Sequence, residues 1–92
     1  MNGWRVELRP SARREFRQLE DGPRRDAEEL IADLREQGPA IVTAIELRGN
    51  PDTWRARFHD GYRMIYHVSR SRKHILVTRI RARPMAYEGM KR

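Results

Sequence analysis

The sequence contains no cysteine among its 92 residues. Disulfide bonds and thiolate metal sites are therefore excluded, and a small secreted scaffold without disulfides would be unusual. The first ten residues alternate apolar and charged side chains, and they hold no apolar run of signal-peptide or membrane-span length. We therefore expect a cytoplasmic protein with no membrane partner.

Lysine is almost absent as well. The chain has 20 Lys and Arg residues, of which only Lys73 and Lys91 are lysine, and 13 Asp and Glu residues, so its net charge is +7. Arginine presents a planar fork that binds phosphate in a bidentate manner, which lysine cannot do. A GC-rich genome would explain the preference for arginine equally well, but it would not explain where the arginines lie.

Hydrophobic residues make up only 38% of the sequence. A chain of this length forms a single domain, residues 1–92, and buries only about two-thirds of its unfolded surface. The core is thus expected to be thin, and a partner that covers part of the surface is plausible.

The N-terminal half predicts one strand and two helices. Apolar and charged side chains alternate over residues 4–9, which is typical of a half-buried strand. Ser11 is a suitable cap for a first helix that ends near residues 21–22. Pro23 suits the first turn of a second helix, which residues 38–39 stop. Its apolar stripe consists of Ala27, Leu30, Ile31 and Leu34.

The C-terminal half predicts a meander of strands. Residues 44–47 are interpreted as extended, and alternation returns over residues 54–59, 62–68 and 73–81. The most economical arrangement is a twisted, four-stranded antiparallel sheet with two helices on one face. The predicted fold class is α+β.

The segment from Phe58 to Tyr62 predicts a hairpin with a three-residue loop. Gly61 would take the left-handed position that closes a type I turn with a G1 bulge. Phe58 then faces Tyr62 and Arg57 faces Arg63. Since side chains alternate between the faces of a sheet, the aromatic residues lie on one face and the arginines on the other.

Arginines gather on the face opposite the aromatic residues. Facing like charges destabilise a sheet by up to about 1 kcal/mol, so an Arg57–Arg63 pair does not serve stability. The last strand adds Arg79, Arg81 and Arg83. The simpler interpretation is a face that is exposed to water. However, the facing pair and the density of arginine favour a bound polyanion, because each guanidinium could neutralise one phosphate.

These residues carry a family resemblance. Residues 47–57 read Leu-Arg-Gly-Asn-Pro-Asp-Thr-Trp-Arg-Ala-Arg, residues 61–66 read Gly-Tyr-Arg-Met-Ile-Tyr, and Arg83 and Tyr87 follow near the end. The chain resembles the RelE/ParE superfamily of type II toxin–antitoxin systems over nearly its whole length. RelE-like members cut messenger RNA in the ribosomal A site, whereas ParE-like members poison DNA gyrase.

The resemblance implies a site. The two basic positions before the hairpin fall on Arg55 and Arg57, the transition-state arginine on Arg63, the second arginine on Arg83 and the terminal tyrosine on Tyr87. The candidate catalytic residues are Arg57, Arg63, Arg83 and Tyr87, and the candidate RNA-binding residues are Arg55, Arg79 and Arg81. The sequence departs from the family in having arginine where the pre-hairpin pair is often lysine, and in lacking a Gly-His before Arg83.

The resemblance favours a RelE-like endoribonuclease, working without metal or cofactor, whose partners are messenger RNA in the A site, ribosomal RNA and a cognate antitoxin. Tyr87 would accept the 2′-hydroxyl proton or stack on a base. Two alternatives stay open: a ParE-like gyrase inhibitor without nuclease activity, and a non-catalytic RNA-binding module.

Three histidines are the other acid–base candidates. His59 lies in the predicted turn and His74 at a strand start, so both are expected to face solvent. His67 shares the face of Arg63 and could contribute to the site.

Overall fold

A computed structural model describes residues 3–41 and 43–82 of the chain. The class is α+β, as predicted. The elements in chain order are strand β1 (Arg5–Leu8), helices α1 (Pro10–Arg17) and α2 (Asp21–Gln37), and strands β2 (Ala44–Glu46), β3 (Thr53–Phe58), β4 (Tyr62–Ser69) and β5 (His74–Ala82). No helix within these ranges combines the length and the apolar character that crossing a bilayer requires.

The sheet corrects the prediction in two respects. It has five strands in the order β1-β5-β4-β3-β2, not four, because the extended segment at Ala44–Glu46 joins the edge beside β3. It is also mixed rather than antiparallel, since β1 pairs with β5 in parallel and Arg5 lies opposite His74. Alternation within a strand cannot reveal the direction of a partner 60 or more residues away, which is why the predicted antiparallel pairing is wrong for β1.

The helices begin earlier than the sequence predicts. Helix α1 starts at Pro10, and Ser11 does not cap it: the Ser11 hydroxyl donates to the carbonyl of Thr78 on β5 at 3.1 Å. Helix α1 ends at Arg17, and Asp21, expected near the end of the first helix, instead begins α2. Proline is tolerated at Pro23 because the first-turn N–H groups have no intrahelical acceptor in any case.

The core lies between the two helices and one face of the sheet. The predicted stripe on α2 is confirmed, since Ala27, Leu30, Ile31 and Leu34 are all buried. It packs with the inward side chains of the sheet, which include Ala56, Met64, Tyr66, Ile75, Val77 and Ile80. This packing leaves the opposite face of the sheet without a covering layer in the described part of the chain.

The β3–β4 hairpin has the predicted register with a different turn. Arg57 pairs with Arg63 and Phe58 with Tyr62, so the three-residue loop is confirmed. The type I turn is wrong, because His59 and Asp60 are left-handed with φ of 43° and 48°, and Gly61 follows at 113°. Gly61 has the positive φ expected of it, and the two residues before it also have positive φ.

Candidate functional site

The uncovered face of the sheet carries a row of three arginines on three adjacent strands. Arg57 of β3 pairs with Arg63 of β4, and Arg63 pairs with Arg81 of β5. Directly paired residues project their Cβ atoms about 5 Å apart on the same face. Among the described residues, none of the three guanidinium groups forms a salt bridge. We call Arg57, Arg63 and Arg81 the arginine row.

Arg55 lies on the same face of β3, two residues before Arg57. It pairs with Ile45 on one side and Ile65 on the other, so its aliphatic stem lies between two apolar side chains. Partial burial, and then the charges of Arg57 and Arg63, lower the pKa of Arg55. The guanidinium nevertheless remains charged at neutral pH.

The Nε atom of Arg55 is buried and has no hydrogen-bond partner within the part of the chain that the structure describes. A buried cationic donor left unpaired is costly, and an anionic oxygen is the acceptor that would relieve this cost most strongly. Arg55 and the arginine row together therefore form a site suited to an oxyanion.

Arg79, the other candidate of the last strand, is already engaged. Its guanidinium donates to the Glu15 carboxylate of α1 at 3.0 Å, and the same carboxylate accepts the backbone N–H of Ile80 at 2.7 Å. This arises because β1 pairs only as far as Val77, and α1 covers the edge of β5 beyond that residue. The structure thus separates Arg79 from the arginine row.

A hollow of about 230 Å³ opens beside the row, next to the hairpin loop. It is lined by Arg57, Asp60, Gly61, Tyr62 and Arg63. Asp60 contributes the one carboxylate of this lining, and nothing in the sequence motif singled it out. The loop therefore places a hydrogen-bond acceptor beside two cationic groups.

Two of the histidines lie close to carboxylates. His59 is exposed, as predicted, and its Nδ1 lies 2.7 Å from a carboxylate oxygen of Asp26 on α2. His74 is half-buried rather than exposed, and its Nε2 lies 2.9 Å from a carboxylate oxygen of Glu7 on β1. His67 lies on the face of Arg63, as expected, with its Nδ1 3.0 Å from the Thr53 hydroxyl.

The remaining two candidates, Arg83 and Tyr87, lie outside the described residues. The structure therefore brings together Arg55, Arg57, Arg63 and Arg81. Sequence reasoning missed Glu15, which sequesters Arg79, because no local pattern connects a helix residue with a strand that lies more than 60 positions further along the chain.

Comparison with known proteins places this geometry in a family context. No protein-family model matches the chain, and no curated protein matches its sequence. Among solved structures, the RelE–RelB complex from Pyrococcus horikoshii OT3 is similar with a TM-score of 0.77 and 25% identity, covering 91% of this chain and 99% of that one. The isolated E. coli RelE toxin has a TM-score of 0.76 and 24% identity, covering 94% and 93%.

A third structure represents another branch. The YoeB/ParE toxin from Agrobacterium tumefaciens has a TM-score of 0.72 and 18% identity, covering 87% of this chain and 99% of that one. The chain is therefore a RelE/ParE-like protein in its fold, and the resemblance seen in the sequence is confirmed at this level.

Proposed function

We propose that this chain is the toxin of a toxin–antitoxin system and acts as a RelE-like endoribonuclease on messenger RNA in the ribosome. The observation that carries the proposal is the arginine row, together with the neighbouring Arg55, whose Nε has no hydrogen-bond partner among the described residues. Facing arginines destabilise the free protein, and a phosphodiester would turn that repulsion into binding. The proposal is also supported by the similarity of the fold to solved structures of RelE toxins, one of them in complex with RelB.

The proposed reaction needs no group beyond the chain and the RNA. The 2′-hydroxyl attacks the adjacent phosphorus, the bond to the 5′-oxygen of the next nucleotide breaks, and a 2′,3′-cyclic phosphate forms. The attacking hydroxyl gives up a proton, and the departing 5′-oxygen gains one. Arg57 and Arg63 would neutralise the charge that builds on the equatorial oxygens.

Other residues have supporting roles in the proposal. Arg55 and Arg81 would hold the backbone in line for attack. Arg83 is proposed as the second transition-state arginine, and Tyr87 as the proton acceptor or as a platform for a base. A cognate antitoxin would neutralise the toxin by covering the exposed basic face with acidic and apolar groups.

Replacement of Arg63 by alanine tests the proposal. Cleavage of messenger RNA on programmed ribosomes should fall about a hundred- to a thousandfold, the usual cost of losing one positioned donor at a transition state. The thermal midpoint should hold or rise slightly, because Arg63 is repelled by a neighbour on each side. Arg25→Ala, an exposed arginine on α2, is the matched control and should retain full cleavage.

The outcomes separate the candidate functions. If the midpoint of Arg63→Ala collapses, Arg63 is structural, and if the midpoint holds while cleavage persists, the catalytic assignment is wrong. A gyrase supercoiling assay on the wild-type protein is run in parallel. Inhibition of supercoiling without any cut in messenger RNA would replace the proposal with a ParE-like function.

A further inference from the structure

A second group of basic side chains lies at the opposite end of the same sheet face. A hollow of about 530 Å³ there is lined by Gly3, Arg5, Glu7, Arg72, Lys73 and His74. Three of these residues are permanently charged cations, and we call Arg5, Arg72 and Lys73 the second basic patch. They come from the first strand and from the turn before the last strand.

The charge of this patch is only weakly compensated. Glu7 is the one carboxylate in the lining, and it is held by the Nε2 of His74 at 2.9 Å. Within the described ranges, Arg5, Arg72 and Lys73 form no salt bridge. The Lys73 amine lies over the Trp4 ring, 5.9 Å from its centre, which leaves its charge available to an anion. Three cations are thus left facing one carboxylate.

Strand β5 links the second basic patch with the arginine row. His74 begins the strand opposite Arg5, and Arg81 lies near its end opposite Arg63. At the rise of a β-strand, and with one bulge between them, these two positions are about 20 Å apart. Between them on this face lie the exposed His67 and the half-buried Ile65 and Leu76. Arg79 also lies between them, and its charge is compensated by the Glu15 carboxylate at 3.0 Å.

We propose that the second basic patch binds the phosphate backbone of the same single-stranded RNA whose cleaved phosphate lies in the arginine row. The face then acts as a track with uncompensated cationic groups at both ends. In the middle, where the charge of Arg79 is compensated by Glu15, an unstacked base can lie against His67. This inference rests on the proposed function for the identity of the RNA. It adds a binding surface at a distance from the reacting phosphate.

The test measures binding without cleavage. Fluorescence anisotropy follows a labelled 2′-O-methyl dodecanucleotide, which cannot be cut because it lacks the attacking hydroxyl, over a series of potassium chloride concentrations. The variant is R5Q/R72Q/K73Q. The matched control is R14Q/R17Q/R25Q, which removes the same charge from exposed positions on the helices.

The expected result is a change in salt dependence that only the patch variant shows. Loss of three phosphate contacts should reduce the slope of log affinity against log salt by about two for single-stranded RNA. The single variant Arg72→Gln, in a turn outside every strand, should show about a third of that loss and guards against misfolding of the triple variant. A trinucleotide is too short to reach both ends of the track, so the two triple variants should bind it equally.

Equal slopes for the two triple variants on the dodecanucleotide would overturn the inference. So would a loss by the patch variant that is as large on the trinucleotide as on the longer strand. Because the probe cannot be cut, the result is independent of nuclease activity. If the wild-type protein cuts no messenger RNA on programmed ribosomes while the patch variant loses slope, the proposed function fails and the RNA track stands.

Discussion

Tyr66 is fully buried, and its side-chain hydroxyl has one hydrogen-bond partner. Its hydroxyl donates to the carbonyl of Pro39 at 2.7 Å and thereby ties β4 to the segment after α2. Tyr66→Phe leaves that carbonyl without a donor, so we expect a loss of about 1–2 kcal/mol in the free energy of unfolding. Urea denaturation measures it, with the partly exposed Tyr62→Phe as control. A Tyr66→Phe protein as stable as wild type would refute the assigned role of the bond.

Burial of Tyr66 also has a consequence for alkaline pH. It raises the pKa of the phenol well above the ordinary value of 10.0. The unfolded chain therefore loses this proton near pH 10 while the folded protein keeps it, and the contribution to stability is present below pH 10 and lost as the pH rises. Tyr66→Phe should lack this part of the decline.

The β3–β4 hairpin is the element that sets the arginine row, and Gly61 closes it. At φ of 113°, Gly61 has a backbone conformation that residues with a Cβ rarely adopt. There is nevertheless space for a side chain, since no heavy atom lies within 4 Å of the position that a Cβ would occupy. Gly61→Ala should therefore destabilise the protein by about 1 kcal/mol or more through backbone strain alone.

The measurement for Gly61→Ala is the thermal midpoint, beside Ser71→Ala in the exposed β4–β5 turn as control. An unchanged midpoint for Gly61→Ala would mean that the loop relaxes into another turn. In that case the strands should also lose their register, which amide exchange across Arg57 and Arg63 would reveal.

The hairpin also shows why part of the site could be predicted. Its loop is three residues long and its strands alternate with a period of two, so the facing of Arg57 and Arg63 follows from local sequence. Arg81 was also predicted on this face, whereas its position directly opposite Arg63 depends on the bulge between β4 and β5. No sequence signal marked that bulge.

Contacts between segments that are distant along the chain could not be predicted from the sequence. The parallel contact of β1 with β5 and the carboxylate of Glu15 beside Arg79 bring together residues from the two ends of the described chain. Both are decided by which surfaces remain available after the local elements have formed. Periodicity records only which side of an element is apolar.

The charge of the whole molecule should make the free protein more stable in salt. With a net charge of +7 and three arginines in line, repulsion opposes the folded state and added ions screen it. We expect the thermal midpoint to rise as potassium chloride is increased, whereas RNA affinity falls. Arg63→Ala should gain less from salt than Arg25→Ala, and a midpoint that drops with salt would contradict the repulsion.

The parallel pairing of β1 with β5 sets the order in which the molecule can form. Strand β5 lies between β1 and β4, yet it is the last described strand to be synthesised. Arg5 can therefore pair only after His74 has been synthesised. Contacts over such separations form late, because the cost of closing the loop comes before any gain. In refolding followed by pulsed hydrogen exchange, amides of the β3–β4 hairpin should become protected before those of β1. A growing chain therefore cannot assemble the arginine row until Arg81 has been added, so the row is absent for most of the time that the chain is being translated.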